Sequence, residues 1–301
     1  MREAIDQYIT RHGLPVHLKP SPTLSFERVG DVLMIDSDAF MSSSWGPSLH
    51  DLYAELCQIS CCSRVARTAR IHTNLKRESQ VEIVFATQDQ PVRSRQDPGW
   101  VDVKENQIRY SFDLTKVMFS SGNVTEKARM GNMPCTGETI VDIYAGIGYY
   151  VLPFLVHGHA KHVYALEWNP NSIDALRHNL CQNEVSDKCT VLAGDNRKTV
   201  FTLHNVADRV NLGLLPSSED AWPGALHVLK DIGGIFHVHG NVPTDGYVTW
   251  RMYLLDTLTA LMEKEGRFFE IECLHIERVK SYAPRVDHVV ADLQLTPHLG
   301  L

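Results

Sequence analysis

The chain has 301 residues, 44% of them hydrophobic, and carries 29 Lys and Arg against 36 Asp and Glu, a formal net charge of −7. That apolar share can bury one large core or two smaller ones, no apolar run reaches the roughly 20 residues a membrane helix needs, and the acidic balance counts against a polyanion held by net charge alone. The opening Met1-Arg2-Glu3-Ala4-Ile5-Asp6 lacks an apolar signal core, and the seven cysteines show no paired Cys-x-x-Cys spacing, so the expectation is a cytoplasmic protein without a disulfide framework or a metal.

In chain order, Asp31 to Ile35 is strand-like, and Ser48 opens a helix with Leu49, Leu52, Tyr53, Leu56 and Ile59 on one face. Cys57, Cys61 and Cys62 fall on or beside this helix, where packing suits them better than metal binding. Val81 to Ala86 and Gln107 to Phe112 supply short strands, and residues 1–120 read as a smaller α+β domain. Within it Arg64, Arg67, Arg70, Lys76 and Arg77 fall in an acid-free stretch, with Arg93, Arg95, Lys104 and Arg109 following. Such a stretch suits an RNA-facing surface or a solvated helix flank.

Ser120 to Asn123 mark the passage into a second domain, 121–301, with Thr125 as the expected helix cap. Strand then alternates with helix: a strand to Tyr144, a helix after Tyr149, a strand from His162 to Glu167, and a helix capped by Asn169 with Pro170 in its first turn. Thr190 to Ala193, Asp208 to Leu214 and Gly234 to Val238 continue the strands, and a helix begins near Ser218. Leu254, Leu258, Leu261 and Met262 form a helical stripe. Phe268 to Val279 and His288 to Leu295, joined through Pro284, close as an antiparallel hairpin. The alternation predicts an α/β, mostly parallel, doubly wound sheet.

Three turns of this second domain outline a nucleoside site. Gly146 and Gly148 follow a strand and precede a helix, where backbone approaches a ligand. Val151 occupies the third glycine position of a dinucleotide fingerprint, which argues against NAD. Glu167 ends the second strand, where a carboxylate accepts hydrogen bonds from ribose hydroxyls. Asp195 and Asn196 close the third strand and suit an adenine edge, although Asp195 alone is also an ordinary turn residue. His237 and His239 alternate on the fifth strand, as packed histidines or with His239 as a proton acceptor. Ser217, Ser218 and Glu219 read as a helix cap or as neighbours of the acceptor.

The spacing Asp142-x-x-x-Gly146-x-Gly148 resembles the first motif of class I S-adenosylmethionine-dependent transferases. Met118-Phe119-Ser120-Ser121-Gly122-Asn123-Val124-Thr125-Glu126-Lys127, Leu212-Gly213-Leu214-Leu215-Pro216-Ser217-Ser218-Glu219 and Val279 to His288 resemble segments of the tRNA wybutosine-synthesizing protein 2 family. The likeness spans roughly Gly99 to Glu277 and resumes at Val279, with the first hundred residues matching loosely. It implies a Rossmann-like class I methyltransferase fold, S-adenosylmethionine as donor, and transfer of its 3-amino-3-carboxypropyl arm to C7 of 4-demethylwyosine at position 37 of phenylalanine tRNA, gripped at the anticodon arm. It also implies cofactor contacts from Ser120, Lys127, Asp142, Tyr144, Ala145, Gly146, Gly148, Glu167, Trp168, Asp195, Asn196, Leu214 and Pro216, with Lys127 at the methionine carboxylate. The related tRNA guanine-N1 methyltransferases carry Asn-Leu-Pro after the fourth strand, where this chain has Leu212 to Ser217. Methyl transfer and a noncatalytic cofactor- or RNA-binding scaffold remain the alternatives, with His239 and Ser217 as candidate catalytic groups.

Overall fold

The structure, a computed structural model, describes residues 1–68 and 79–298. Its chain divides into two units, one of residues 1–104 and 109–119, the other of residues 105–108 and 120–301.

The first unit opens with α1 (Arg2–Arg11), then β1 (Phe26–Val29), β2 (Val32–Ile35), α2 (Ser48–Ser60), β3 (Arg64–Arg67) and β4 (Glu82–Ala86). The four strands form one sheet in the order β1-β2-β3-β4, with β2 and β3 parallel. Its core joins Ile5, Ile9, Leu33, Ile35, Leu52, Leu56 and Val65, so the amphipathic faces of α1 and α2 are buried together with strand residues. A hairpin of β5 (Trp100–Glu105) and β6 (Ile108–Asp113) follows. Arg64 to Arg67, expected on a solvated or RNA-facing flank, form a strand whose first three residues are buried.

The second unit begins with α3 (Val124–Gly131), whose N-cap position is Asn123, so Thr125 lies inside the helix instead of capping it. It continues through β7 (Thr139–Asp142), α4 (Val151–Val156), β8 (His162–Glu167), α5 (Pro170–Gln182), β9 (Cys189–Ala193), α6 (Asn196–Thr199), β10 (Arg209–Leu212), α7 (Trp222–Val228), β11 (Gly234–Pro243), α8 (Tyr247–Lys264), β12 (Phe269–Ala283) and β13 (Val286–Pro297). The expected start near Ser218 is a single 3-10 turn, Glu219–Ala221, leading into α7. Asn169 caps α5 as its residue type demands: its side-chain oxygen accepts from Asn171 N at 3.0 Å, and Pro170 occupies the first turn.

Seven strands make one sheet in the order β12-β13-β11-β10-β7-β8-β9. Five are parallel, and β13 runs antiparallel between β11 and β12. The order reverses at β7: the chain moves to β8 and β9 on one side, then returns to β10 on the other. A ligand cleft belongs at the carboxyl ends of the strands at such a reversal. Asp142 pairs with Asn211 across β7 and β10, and Leu212 with Val238 across β10 and β11, so these residues arrive at the same edge.

Candidate active site

At the end of β7 the chain turns through Gly146 and Gly148, whose φ angles are 54° and 99°. A Cβ on Gly146 would lie 3.0 Å from the Tyr149 ring, and one on Gly148 3.0 Å from Leu176. Both positions therefore require glycine on conformational and steric grounds.

Glu167 organises this turn from the end of β8. Its Oε2 accepts from Gly146 N at 2.8 Å, and its Oε1 accepts from Trp168 N at 2.9 Å and Asn169 N at 2.8 Å. One half-buried carboxylate thus fixes both the glycine turn and the start of α5. Asp142 lies deeper and is fully buried. Its Oδ1 accepts from Tyr144 N and Asn211 Nδ2, while Oδ2 has no hydrogen-bond partner among the described residues. Burial pushes this carboxyl up to about 7, against the hydrogen bonds from Asn211 and Tyr144 N.

Beside these acids lies a cavity of about 240 Å³, lined among others by Ile143, Asn196, Val200, Phe201, Ala221 and Pro223. Asn196 is oriented by its Nδ2 donating to Ile143 O at 3.0 Å. Asp195 caps α6, accepting from Arg197 N at 3.1 Å, and its carboxylate pairs with the Arg197 guanidinium at 2.8 Å. Val200, Phe201 and Pro223 carry no mark in the sequence that assigns them to this cavity; in the structure Phe201 is 53% exposed.

Lys127 is 1% exposed, and its ammonium donates to Glu105 Oε2 at 2.5 Å and Ser120 O at 3.2 Å. Burial lowers its pKa against that pairing, so it is a neutralised cation beside Ser120 and not a bare one. Tyr144, Trp168 and Leu214 are half-buried, Ala145 is buried, and Pro216 is exposed, its carbonyl accepting from Asn241 N at 3.1 Å. Ser217 is exposed, donating to Glu219 Oε1 at 3.0 Å and accepting from Glu219 N at 3.2 Å. Its hydroxyl serves the local turn.

Both strand histidines are buried. His237 Nε2 faces Arg209 Nη1 at 2.8 Å, and since arginine only donates, Nδ1 carries the proton directed at Asp292 Oδ1, 2.6 Å away. Asp292 also takes Arg129 at 2.6 Å, and Arg129 in turn grips Glu126. Burial would raise the Asp292 carboxyl, but its bonds to His237 and Arg129 hold it well below the usual carboxylate range. His239 Nδ1 lies 3.0 Å from His288 Nε2, and its Nε2 has no partner among the described residues. No group of His, Cys, Asp and Glu among the described residues is arranged to hold a metal.

The basic stretch needs correction. Arg64 is 1% exposed, with Nε on Asp31 Oδ2 at 3.0 Å, Nη1 on Pro98 O at 2.6 Å and Nη2 on Trp100 O at 2.8 Å. Its charge is consumed inside the first unit and does not face RNA. Arg67 is half-buried, 3.4 Å from both Ala39 O and the Tyr53 hydroxyl. Arg70, Lys76 and Arg77 lie outside the described residues.

A seven-stranded sheet of this order, a glycine turn after its first strand and an acid ending the second together define a Rossmann-like class I methyltransferase fold. Residues 101–251 match the TRM5/TYW2 methyltransferase domain. The chain is 45% identical over 294 residues to the tRNA wybutosine-synthesizing protein 2/3/4 of Arabidopsis thaliana, which covers 98% of this chain and 28% of that protein. It is 38% identical to the tRNA wybutosine-synthesizing protein 2 homolog of Bos taurus, over 91% of this chain and 71% of the relative. The solved structure of P. horikoshii TYW2 in complex with MeSAdo superimposes with a TM-score of 0.76 at 29% identity, covering 98% and 99% of the two chains. The chain belongs to the TRM5/TYW2 family, with relatives named for wybutosine synthesis, and spans just over a quarter of the length of its plant relatives.

Proposed function

We propose that this chain transfers the 3-amino-3-carboxypropyl group of S-adenosylmethionine to C7 of 4-demethylwyosine at position 37 of phenylalanine tRNA, leaving methylthioadenosine. The observation that carries the reading is the likeness to a TYW2 structure holding MeSAdo, the nucleoside that remains once that arm has left.

The residues fit such a donor. Glu167 offers carboxylate oxygens for the ribose hydroxyls, while the slot from Ile143 to Pro223 suits a flat adenine, with the Asn196 amide at its edge. The unpartnered Asp142 oxygen leaves a polar group for the rest of the ligand. Lys127, already balanced by Glu105, orders the Ser120 carbonyl at the end assigned to the methionine carboxylate.

The donor supplies a sulfonium, which makes each attached carbon an electrophile. Choice among those carbons is a matter of orientation. The protein's work is to hold the nucleoside in the slot and leave one arm toward the RNA base. The Gly213 to Pro216 segment, following β10, stands where the methyltransferase relatives carry Asn-Leu-Pro, and an amide is absent from it. That difference favours aminocarboxypropyl transfer over methylation of guanine N1.

Mass-spectrometric identification of the small product after incubation with S-adenosylmethionine and tRNA bearing 4-demethylwyosine tests the reading. Methylthioadenosine formed only with the tricyclic base supports it; S-adenosylhomocysteine overturns it in favour of methyl transfer, and neither product favours a scaffold.

A further inference from the structure

The first unit holds a second cavity, of about 470 Å³, walled by Arg28, Gly30 and Asp31, by residues 91–93 and by residues 102–104. Three of its lining residues are cations: Arg28 and Lys104 are exposed, and Arg93 is 9% exposed. Two carboxylates line it as well, and both are committed elsewhere. Asp31 takes the Arg64 guanidinium and the Ser63 hydroxyl. Asp102 takes the Ser94 N–H at 2.8 Å and its hydroxyl at 2.5 Å. In each case burial would raise the carboxyl, and these hydrogen bonds bring it below the usual range.

Arg93 supplies the independent observation. Its Nη2 donates to Gln90 Oε1 at 2.8 Å, but its buried Nε and Nη1 make no hydrogen bond among the described residues. Nη1 stands 3.9 Å from Asp31 Oδ2, beyond hydrogen-bond reach. A buried guanidinium with unused N–H groups is costly unless something accepts from them. Gly30 in the wall must be glycine: its φ is 59°, and an added Cβ would lie 2.9 Å from Asp102 O.

We propose that this cavity is a site for a phosphate group, with Arg93 donating from its floor and Arg28 and Lys104 closing around the charge. Guanidinium and ammonium groups together suit a tetrahedral oxyanion, one through directed donors and the other as a point charge. The phosphate is that of an RNA backbone or a free phosphate ion; the recognition chemistry is common to both. The site does not depend on the transfer reaction proposed above.

The test compares wild type with the Arg28→Gln/Lys104→Gln double variant, both exposed positions, and with Arg93→Lys, which keeps the charge. Fluorescence anisotropy of a labelled tRNA transcript across a salt series, and calorimetric titration with inorganic phosphate at constant ionic strength, are the readouts. For an RNA phosphate, the double variant loses about tenfold in tRNA affinity, and its slope of log affinity against log salt falls by about one. Inorganic phosphate then competes with tRNA in wild type and not in the double variant. Loss of phosphate binding with tRNA affinity unchanged assigns the site to the free ion. If wild type binds no phosphate and the variant's tRNA affinity and slope are unmoved, the proposal is overturned. S-adenosylmethionine affinity, measured on the same preparations, stays at the wild-type value and separates loss of this site from loss of the fold.

Discussion

His239 and His288 meet in the interior of the second unit, Nδ1 to Nε2 at 3.0 Å across the β11–β13 ladder, and each keeps one nitrogen without a partner among the described residues. Burial holds both neutral, lowering His288 to about 4 and His239 well below its ordinary value. The Tyr150 ring lies 5.1 Å from that of His239. At 2% exposure His239 is packed in the interior.

His239→Ala is therefore expected to lower stability by roughly 2–4 kcal/mol through the cavity it leaves, and to slow single-turnover transfer less than tenfold. Thermal unfolding and rapid-quench kinetics measure the two effects. A hundredfold slower transfer at unchanged stability would instead make it the proton acceptor.

Glu167 fixes the glycine turn, and substitutions test whether it also holds the ribose as proposed. Glu167→Gln keeps the size and one acceptor oxygen but turns its NH2 toward a backbone N–H, and should weaken S-adenosylmethionine binding by roughly 1–3 kcal/mol with a smaller loss of melting temperature than Glu167→Ala. Glu167→Ala strips the acceptor from three backbone N–H groups and should lower the melting temperature as well. Titration calorimetry showing wild-type affinity in both variants would refute the ribose assignment.

The Asp142 carboxyl, raised by burial to about 7, sets a pH dependence of definite sign. Between the unfolded carboxyl value near 4 and about 7, the folded state holds the extra proton, so this residue makes stability fall as pH rises. Asp142→Asn removes the penalty and should raise the melting temperature relative to wild type at pH 8, with the gain shrinking toward pH 5. A difference that is flat across this range would show that the carboxyl is not shifted.

Arg64→Leu leaves the Asp31 carboxylate without its partner guanidinium and should destabilise the first unit by about 3–5 kcal/mol. Thermal unfolding measures the loss, and a variant that melts with wild type would show that the guanidinium is solvated, as an RNA-facing surface requires.

The contrast between Arg64 and Glu167 shows what was legible. Glu167 ends an apolar strand and Gly146 and Gly148 follow another, so local pattern and turn chemistry agree, and β7, β8, α5 and the closing hairpin could all be read from residue types. Arg64 belongs to a strand in which two of four residues are arginine; its burial depends on Asp31 and two distant carbonyls, and no local window contains them. The β1 strand is too short to show a period, and the cavity proposed for adenine joins Val200 and Phe201 to Pro223, two segments far apart in sequence. The Glu126–Arg129–Asp292–His237–Arg209 chain likewise joins residues more than a hundred positions apart, and is visible only in three dimensions.

The placement of β13 bears on biosynthesis. Of the seven strands it is the last translated, yet it occupies an interior lane between β11 and β12, and Asp292 within it neutralises Arg129 near the start of the unit. While the ribosome still holds residues 286–297, β11 presents an open ladder edge and Arg129 lacks one of its counterions. Until its final hairpin emerges, the nascent second unit therefore exposes an unpaired strand edge, the feature through which incomplete folds associate.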